Sequence, residues 1–205
     1  MSYIQMIKKD IEHKNIKELL SKVKAGDHSA FEIIINKYRN LVIHIIFRMV
    51  SNSADREDLF QDIFLKVYKN IKHFRFQSKF STWIGKIAYN TCLNHVKKHR
   101  PETIDQSILN NSYKNSFSDT ELLPDDLITQ KEITAQIHKE IENLNYIYKT
   151  VLTLFHLENM SYKEIGTIMK IPQGSVKSYL FRARKELKKR LLSKFEDKEI
   201  CKINI

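Results

Sequence analysis

Four glycines and three prolines in 205 residues leave this chain few places to turn sharply, and that scarcity limits the folds open to it. A sandwich or barrel of many short strands needs a turn roughly every 8–12 residues, usually built on Gly, Pro or Asn. Long elements with few breaks remain, and the residue spacing within them reads as helical. The hydrophobic fraction, 42%, suits a soluble globular protein. The length allows one large domain or two small ones, each with a modest core.

From Ala30 to Val50 the apolar residues Phe31, Ile34, Tyr38, Leu41, Ile45 and Met49 recur in steps of three and four, one face of a helix. "SNSADRED" then offers Ser53 and Asp55 as N-caps, with carboxylates in a first turn where the helix dipole favours them. The helix that follows carries Leu59, Ile63, Val67 and Ile71 on one side, with Phe60, Phe64 and Tyr68 widening the stripe. Ser81 is the expected cap of a third helix, through Trp83, Ile84, Ile87, Cys92 and Val96, which ends in the basic "HVKKHRP" where Pro101 forbids continuation.

Residues 101–130 differ in character. Six acids (Glu102, Asp105, Asp119, Glu121, Asp125, Asp126) stand against the single base Lys114, and no helical period is sustained. This reads as a flexible acidic linker, with a short helix beginning near Pro124 as an option and an ordered surface loop as the alternative. From Ile133 the helical period resumes through Ile137, Ile141 and Leu144, then Val151, Leu152 and Phe155. The expected fold class is therefore all-α: two small helical domains, 1–100 and 131–205, joined by the linker 101–130.

The net charge of +11 points to an anionic partner, nucleic acid or a membrane surface, although a solvated lysine-rich surface would give the same number. Where the cations sit decides more. In "SYKEIGTIMKIPQGSVKSYLFRAR", Ser161 and Glu164 have the spacing of a capping box. Gly166 costs a helix about 1 kcal/mol relative to Ala unless something must approach closely. "KIPQGS" breaks the chain, Ser175 is the expected cap of a second helix, and Val176, Leu180, Ala183, Leu187 and Leu191 form its inward stripe. Outward lie Lys177, Ser178, Phe181, Arg182, Lys185 and Lys188. Between Gly174 and Leu192 there are seven cations and one anion, Glu186. Two short helices, a tight turn and a cationic second helix are the parts of a helix-turn-helix, which reads duplex DNA in the major groove. Arg can grip guanine, Ser can meet either kind of base edge, Phe can touch a thymine methyl, and the remaining cations neutralise phosphates.

The third helix carries a different pattern. From Lys79 to Arg100 it holds five cations and no acid, interleaved with Phe80, Trp83 and Tyr89 and preceded by Phe74 and Phe76. Cations that track a backbone beside aromatic faces that stack on unpaired bases suit single-stranded DNA. Packing also claims these aromatics: Phe80 and Trp83 are assigned to the core, while Phe74 and Phe76 stay open as loop residues.

"DREDLFQDIFLKVYKNI", "FSTWIGKIAYNTCLNHVKKHR" and "SYKEIGTIMKIPQGSVKSYLFRARKEL", in that order around an acidic linker, resemble the blocks of a bacterial sigma factor of the extracytoplasmic-function group over about residues 20–193. The resemblance implies a dissociable initiation subunit of RNA polymerase. It assigns Asp58, Leu59, Gln61, Asp62 and Phe64 to binding core polymerase. The Phe74 loop and Asn90, with Lys79, Lys86, Lys97 and Lys98, fall to capture and opening of the downstream promoter element. Ser178, Phe181 and Arg182 fall to reading the upstream element, with Lys177 and Arg184 on phosphates. It further implies promoter DNA and an anti-sigma protein as partners, and a linker threaded toward the polymerase active centre. Four positions depart from the usual pattern: Tyr179 stands for Arg, Gly85 for a larger residue, Gly166 for Ala, and Leu144-Asn145 for Leu-Pro.

Other classes are weighed against this. A conventional helix-turn-helix regulator that does not bind polymerase explains the C-terminal domain but not the basic aromatic helix. Cys92, His95 and His99, at i, i+3 and i+7, are spaced as zinc ligands might be, yet a fourth ligand is not evident and "HVKKHR" would surround the metal with positive charge. A phosphate-cradling loop or nucleophile motif is not found either, so no catalysis, metal, cofactor or small-molecule substrate is expected. Cys92 and Cys201, far apart and without a CxxC, fit a reducing compartment, and a polar start with no apolar run near ~18 residues argues against membrane insertion. A cytoplasmic location is expected.

Overall fold

The computed structural model describes residues 15–99 and 130–193, with side chains from residue 136 in the second stretch. The acidic linker, the option of a helix near Pro124 and Cys201 lie outside the described residues. Those described are helical in every regular element, and they form two compact units. One contains residues 15–99 and counts Thr167–Lys170 with it; the other contains the remaining described residues.

In the first unit, α1 (15–24) buries Ile16, Leu20 and Val23 on one face. It ends in a Schellman motif: the Gly26 N–H donates to the Val23 carbonyl and the Asp27 N–H to that of Lys22, each at 3.0 Å, around Gly26 at φ +94°. An L side chain would be strained there, so the turn needs glycine. The Asp27 carboxylate then accepts the Ala30 N–H at 3.1 Å and caps α2 (His28–Met49). Of the predicted stripe, Ile34, Tyr38, Leu41, Ile45 and Met49 are buried and Phe31 is half-buried, and α2 packs against α3 (Ser53–Asn70) and α4 (Phe80–Lys98). A single 3₁₀ turn, Ile71–His73, follows α3.

The caps differ from those expected. Asn52, not Ser53 or Asp55, caps α3 by accepting the Ala54 N–H at 3.0 Å. α4 starts one residue before Ser81, with Lys79 at its N-cap and no side-chain cap bond. There Phe80 is buried, so its place in the core fixes the helix start where a cap would otherwise decide it.

In the second unit, α5 (Gln130–Glu142) and α6 (Tyr146–His156) both pack on α8 (Gln173–Leu192). Asn145 caps α6, accepting the Tyr148 N–H at 2.9 Å. α7 (Tyr162–Met169) opens on the predicted capping box: the Ser161 N–H donates to Glu164 Oε2 at 2.9 Å, and the Glu164 N–H to Ser161 Oγ at 3.3 Å. Gly166 has a packing reason as well, since a Cβ there would stand 2.8 Å from the Ile171 carbonyl oxygen. The turn into α8 is set by Pro172, whose fixed φ of −58° and extended ψ place its carbonyl to accept the Val176 N–H at 3.2 Å. α8 therefore begins at Gln173, and Ser175 lies inside its first turn instead of capping it. The inward stripe Val176, Leu180, Ala183, Leu187 and Leu191 is buried as the spacing predicts.

Candidate nucleic-acid and polymerase interfaces

With its apolar stripe buried, α8 presents the opposite face to solvent. Lys177, Ser178, Phe181, Arg182, Lys185, Lys188 and Lys189 are exposed. Phe181 is 69% exposed, and an aromatic left that open among cations gains nothing from the core. The Ser178 hydroxyl donates back to the Gly174 carbonyl at 3.1 Å, which keeps its oxygen lone pairs outward as acceptors. Arg184 differs from the other cations. It is half-buried, one terminal nitrogen lies 3.0 Å from His156 Nε2, and its guanidinium faces the Phe155 ring at 5.5 Å.

In the first unit, a helix turning ~100° per residue brings Lys86, Asn90 and Lys97 within about 40° of one another on α4. Lys86 and Lys97 are exposed and Asn90 partly so. The Asn90 amide donates to the Lys86 carbonyl at 2.6 Å, which leaves its oxygen as an outward acceptor. Lys79 stands at the head of the helix and is exposed, while Lys98 points away from this stripe by about 100°.

The loop before α4 departs from expectation. Phe74 is 5% exposed, its ring 5.0 Å from Phe80 and 5.3 Å from Trp83, and so it belongs to the core and offers no open stacking face. The more accessible part of the cluster is Phe76, 4.8 Å from Phe74, together with Trp83, both half-buried. Phe76 also sits at φ +57°, an uncommon conformation for an aromatic residue. Phe80 is core, as expected; Trp83 is only half-buried.

On α3, Asp58 and Gln61 are exposed and Asp62 partly so, paired to Lys66 at 2.6 Å. Leu59 and Phe64, assigned with them to a partner surface, are instead buried at 6% and 4%. The reason is geometric: Leu59 belongs to the Ile63–Val67 stripe that the core requires, and Phe64 lies beside it. Leu65, 56% exposed, shares the outward face with Asp58, Gln61 and Asp62 at i+7, i+4 and i+3. Sequence reasoning passed over it because a single leucine in an amphipathic helix is assumed to be core. Its angle, about 200° from Ile63, was the available signal.

The Cys92, His95, His99 spacing does not gather into a ligand set. Cys92 is fully buried, and that burial pushes its thiol up to about 12. His95 Nε2 contacts Asp55 at 3.3 Å, and the His95 and His99 rings lie 4.2 Å apart, tilted by 30°. Among the described residues no three His, Cys, Asp or Glu side chains come together as a metal would require, and no helix is long and apolar enough to cross a membrane.

Comparison with known proteins finds a family match in each half of the chain. Residues 34–102 match the family described as Sigma-70 region 2, and residues 134–187 match Sigma-70, region 4. The chain is 33% identical over 180 residues to the ECF RNA polymerase sigma factor SigW of Bacillus subtilis (strain 168), covering 86% of this chain and 96% of that protein. To the RNA polymerase sigma-H factor of Pseudomonas aeruginosa it is 34% identical over 179 residues, covering 85% and 92%. Two solved structures share the fold: CnrH in complex with the cytosolic domain of CnrY (TM-score 0.62, 16% identity, 88% of this chain and 99% of that one), and the sigma factor RpoE in complex with the anti-sigma factor NepR from Bartonella quintana (0.59, 20%, 80% and 98%). A regulator without polymerase contact leaves the match over residues 34–102 unexplained. The chain belongs to the extracytoplasmic-function (ECF) sigma factors of bacterial RNA polymerase.

Proposed function

We propose that the chain divides the work of an ECF sigma factor between its two units: residues 1–100 bind core polymerase and open the downstream promoter element, residues 131–205 read the upstream element, and the acidic segment 101–130 links them. The observation that carries this is the chemical contrast between helix faces. α3 offers Asp58, Gln61 and Asp62 around the exposed Leu65, a mixed acidic and apolar face suited to protein, whereas α8 offers cations around the exposed Phe181 and α4 offers cations beside the half-buried Trp83, suited to DNA. Phosphate neutralisation falls to Lys177, Arg184 and the flanking lysines of α8, and base reading to Ser178, Phe181 and Arg182. In the downstream region Lys79, Lys86, Lys97 and Lys98 track the backbone beside Asn90. The accessible Phe76 and Trp83 are better placed than the buried Phe74 to meet an unpaired base.

The protein then acts beside polymerase in the cytoplasm and carries no catalysis of its own. An anti-sigma protein is a third partner, and its support is the apolar surface left open on the first unit at Ile33, Phe47 and Leu65. Separate losses test the division. Asp58→Ala weakens association with core polymerase and leaves promoter choice intact. Arg182→Ala leaves association intact and lowers output from the sigma's own promoters, by about tenfold for one lost bidentate base contact. If Arg182→Ala left promoter choice and output unchanged, the base-reading assignment would be wrong.

A further inference from the structure

Lys177 and Arg184 are seven residues apart on α8, about 10.5 Å along the axis at ~1.5 Å per residue. Both are held against aromatic rings. Lys177 Nζ lies 5.7 Å from the Tyr162 ring, and the Arg184 guanidinium lies 5.5 Å from that of Phe155. Those two rings stack on each other, 5.2 Å apart and 16° from parallel, so a cation stands at either end of a two-ring stack. Arg184 has one further tie, its terminal nitrogen 3.0 Å from His156 Nε2, while its Nε is buried without a hydrogen-bond partner.

A guanidinium can only donate. The 3.0 Å contact therefore fixes the state of the imidazole: Nε2 must carry the lone pair, and the ring is neutral with its proton on Nδ1. Burial first, and the Arg184 charge second, hold His156 below its ordinary value and favour that same neutral form. The charge facing His156 comes from Arg184 on α8. Its neighbour on α6 is Phe155, edge-on at 5.0 Å, through which lie Tyr162 of α7 and Lys177 of α8.

We infer that His156 is a positioning residue for upstream-element binding: as a neutral acceptor it fixes the Arg184 guanidinium over Phe155 and leaves its exposed N–H groups to a duplex phosphate. This rests on the reading of Arg184 as a phosphate contact. Protonation of His156 turns the acceptor into a donor and sets two cations against each other, so Arg184 loses its anchor and the phosphate contact loosens. Binding to the upstream element is then pH-dependent through a residue that never touches DNA.

The test uses holoenzyme reconstituted from core polymerase and the full chain, binding a duplex with the upstream element, over a range of potassium chloride concentrations. At pH 7.5, Arg184→Ala lowers the salt slope by about 0.9, the loss of one phosphate contact. His156→Ala weakens binding about threefold, the scale of one hydrogen bond, and the double variant binds no more weakly than Arg184→Ala alone. Between pH 7.5 and 5.5 the wild type drifts toward His156→Ala, whereas His156→Gln, which keeps an acceptor that cannot ionise, does not. Additive losses in the double variant, or identical pH profiles for wild type and His156→Gln, overturn the inference. So does affinity that rises on acidification relative to His156→Gln, which would make His156 itself a phosphate contact. A salt slope unchanged in Arg184→Ala overturns the reading of Arg184 and this inference with it. If His156→Ala does not fold, the pH comparison with His156→Gln alone decides.

Discussion

Lys170 closes α7 at φ +57°, and the Ile171 N–H donates back to the Gly166 carbonyl at 3.0 Å. This is the hydrogen bond of a Schellman ending, which α1 completes with Gly26 at φ +94°. One turn has the residue its backbone asks for and the other does not. A side chain with a Cβ in the left-handed region costs roughly 1–2 kcal/mol. Lys170→Gly removes that strain but gives the unfolded chain more freedom, which takes back roughly 0.5–1 kcal/mol. The net expectation is a gain of about 0.5–1 kcal/mol, or about 3–6 °C in the melting temperature of a domain this size. Thermal and urea unfolding followed by far-ultraviolet circular dichroism measure it. Lys170→Ala separates charge from strain: it loses the cation, keeps the Cβ, and stays within about 0.5 kcal/mol of wild type. Lys170→Asn falls between, because Asn tolerates this conformation, as Asn159 does at φ +50°. A Lys170→Gly protein no more stable than Lys170→Ala would refute the reasoning, since strain relief must then fail to exceed the entropy that glycine returns to the unfolded chain.

Three further expectations follow from burial. Thr82 is 2% exposed and its hydroxyl has no partner, so Thr82→Val stabilises the first unit by about 1 kcal/mol, read from the urea midpoint. Leu65→Glu leaves the melting temperature within about 2 °C and weakens pull-down of core polymerase, whereas Leu59→Ala lowers stability by about 2–4 kcal/mol because Leu59 is core. Cys92, with its thiol pushed up to about 12, resists a thiol reagent at pH 8 in a Cys201→Ser background, and its labelling tracks unfolding; rapid labelling of the native protein would contradict its burial.

Much of the helical framework was legible because period and caps repeat the same information. The α2 stripe and the Ser161–Glu164 box appear in the structure as their spacing predicts. Caps were less legible where several polar residues stand in a row. Asn52, Ser53 and Asp55 can all accept an N–H, and the extended chain leaving α2 at Val50 delivers Asn52 first. At α8 a fixed proline φ outweighed the better capping side chain of Ser175. The candidate sites were read less well for a related reason. Leu59, Phe64 and Leu65 are chemically alike, and only their angle to the core stripe separates the buried pair from the exposed residue. Phe74 was beyond reach: its burial comes from Phe80 and Trp83, brought over it by a loop whose course no local pattern encodes. The His156–Arg184 contact spans 28 residues and two helices, with no signature in either segment.

The central claim, that this chain makes RNA polymerase start at promoters of its own choosing, meets its most direct test in a reconstitution. Purified protein is mixed with bacterial core polymerase and genomic DNA from the same organism, and the 5′ ends of the transcripts are sequenced. Family membership and the proposed DNA contacts of α4 and α8 predict a stable complex, with starts that share an upstream and a downstream motif and vanish when the chain is omitted. Specific duplex binding by the free chain, with no complex formed and no starts above those of core polymerase alone, would contradict it.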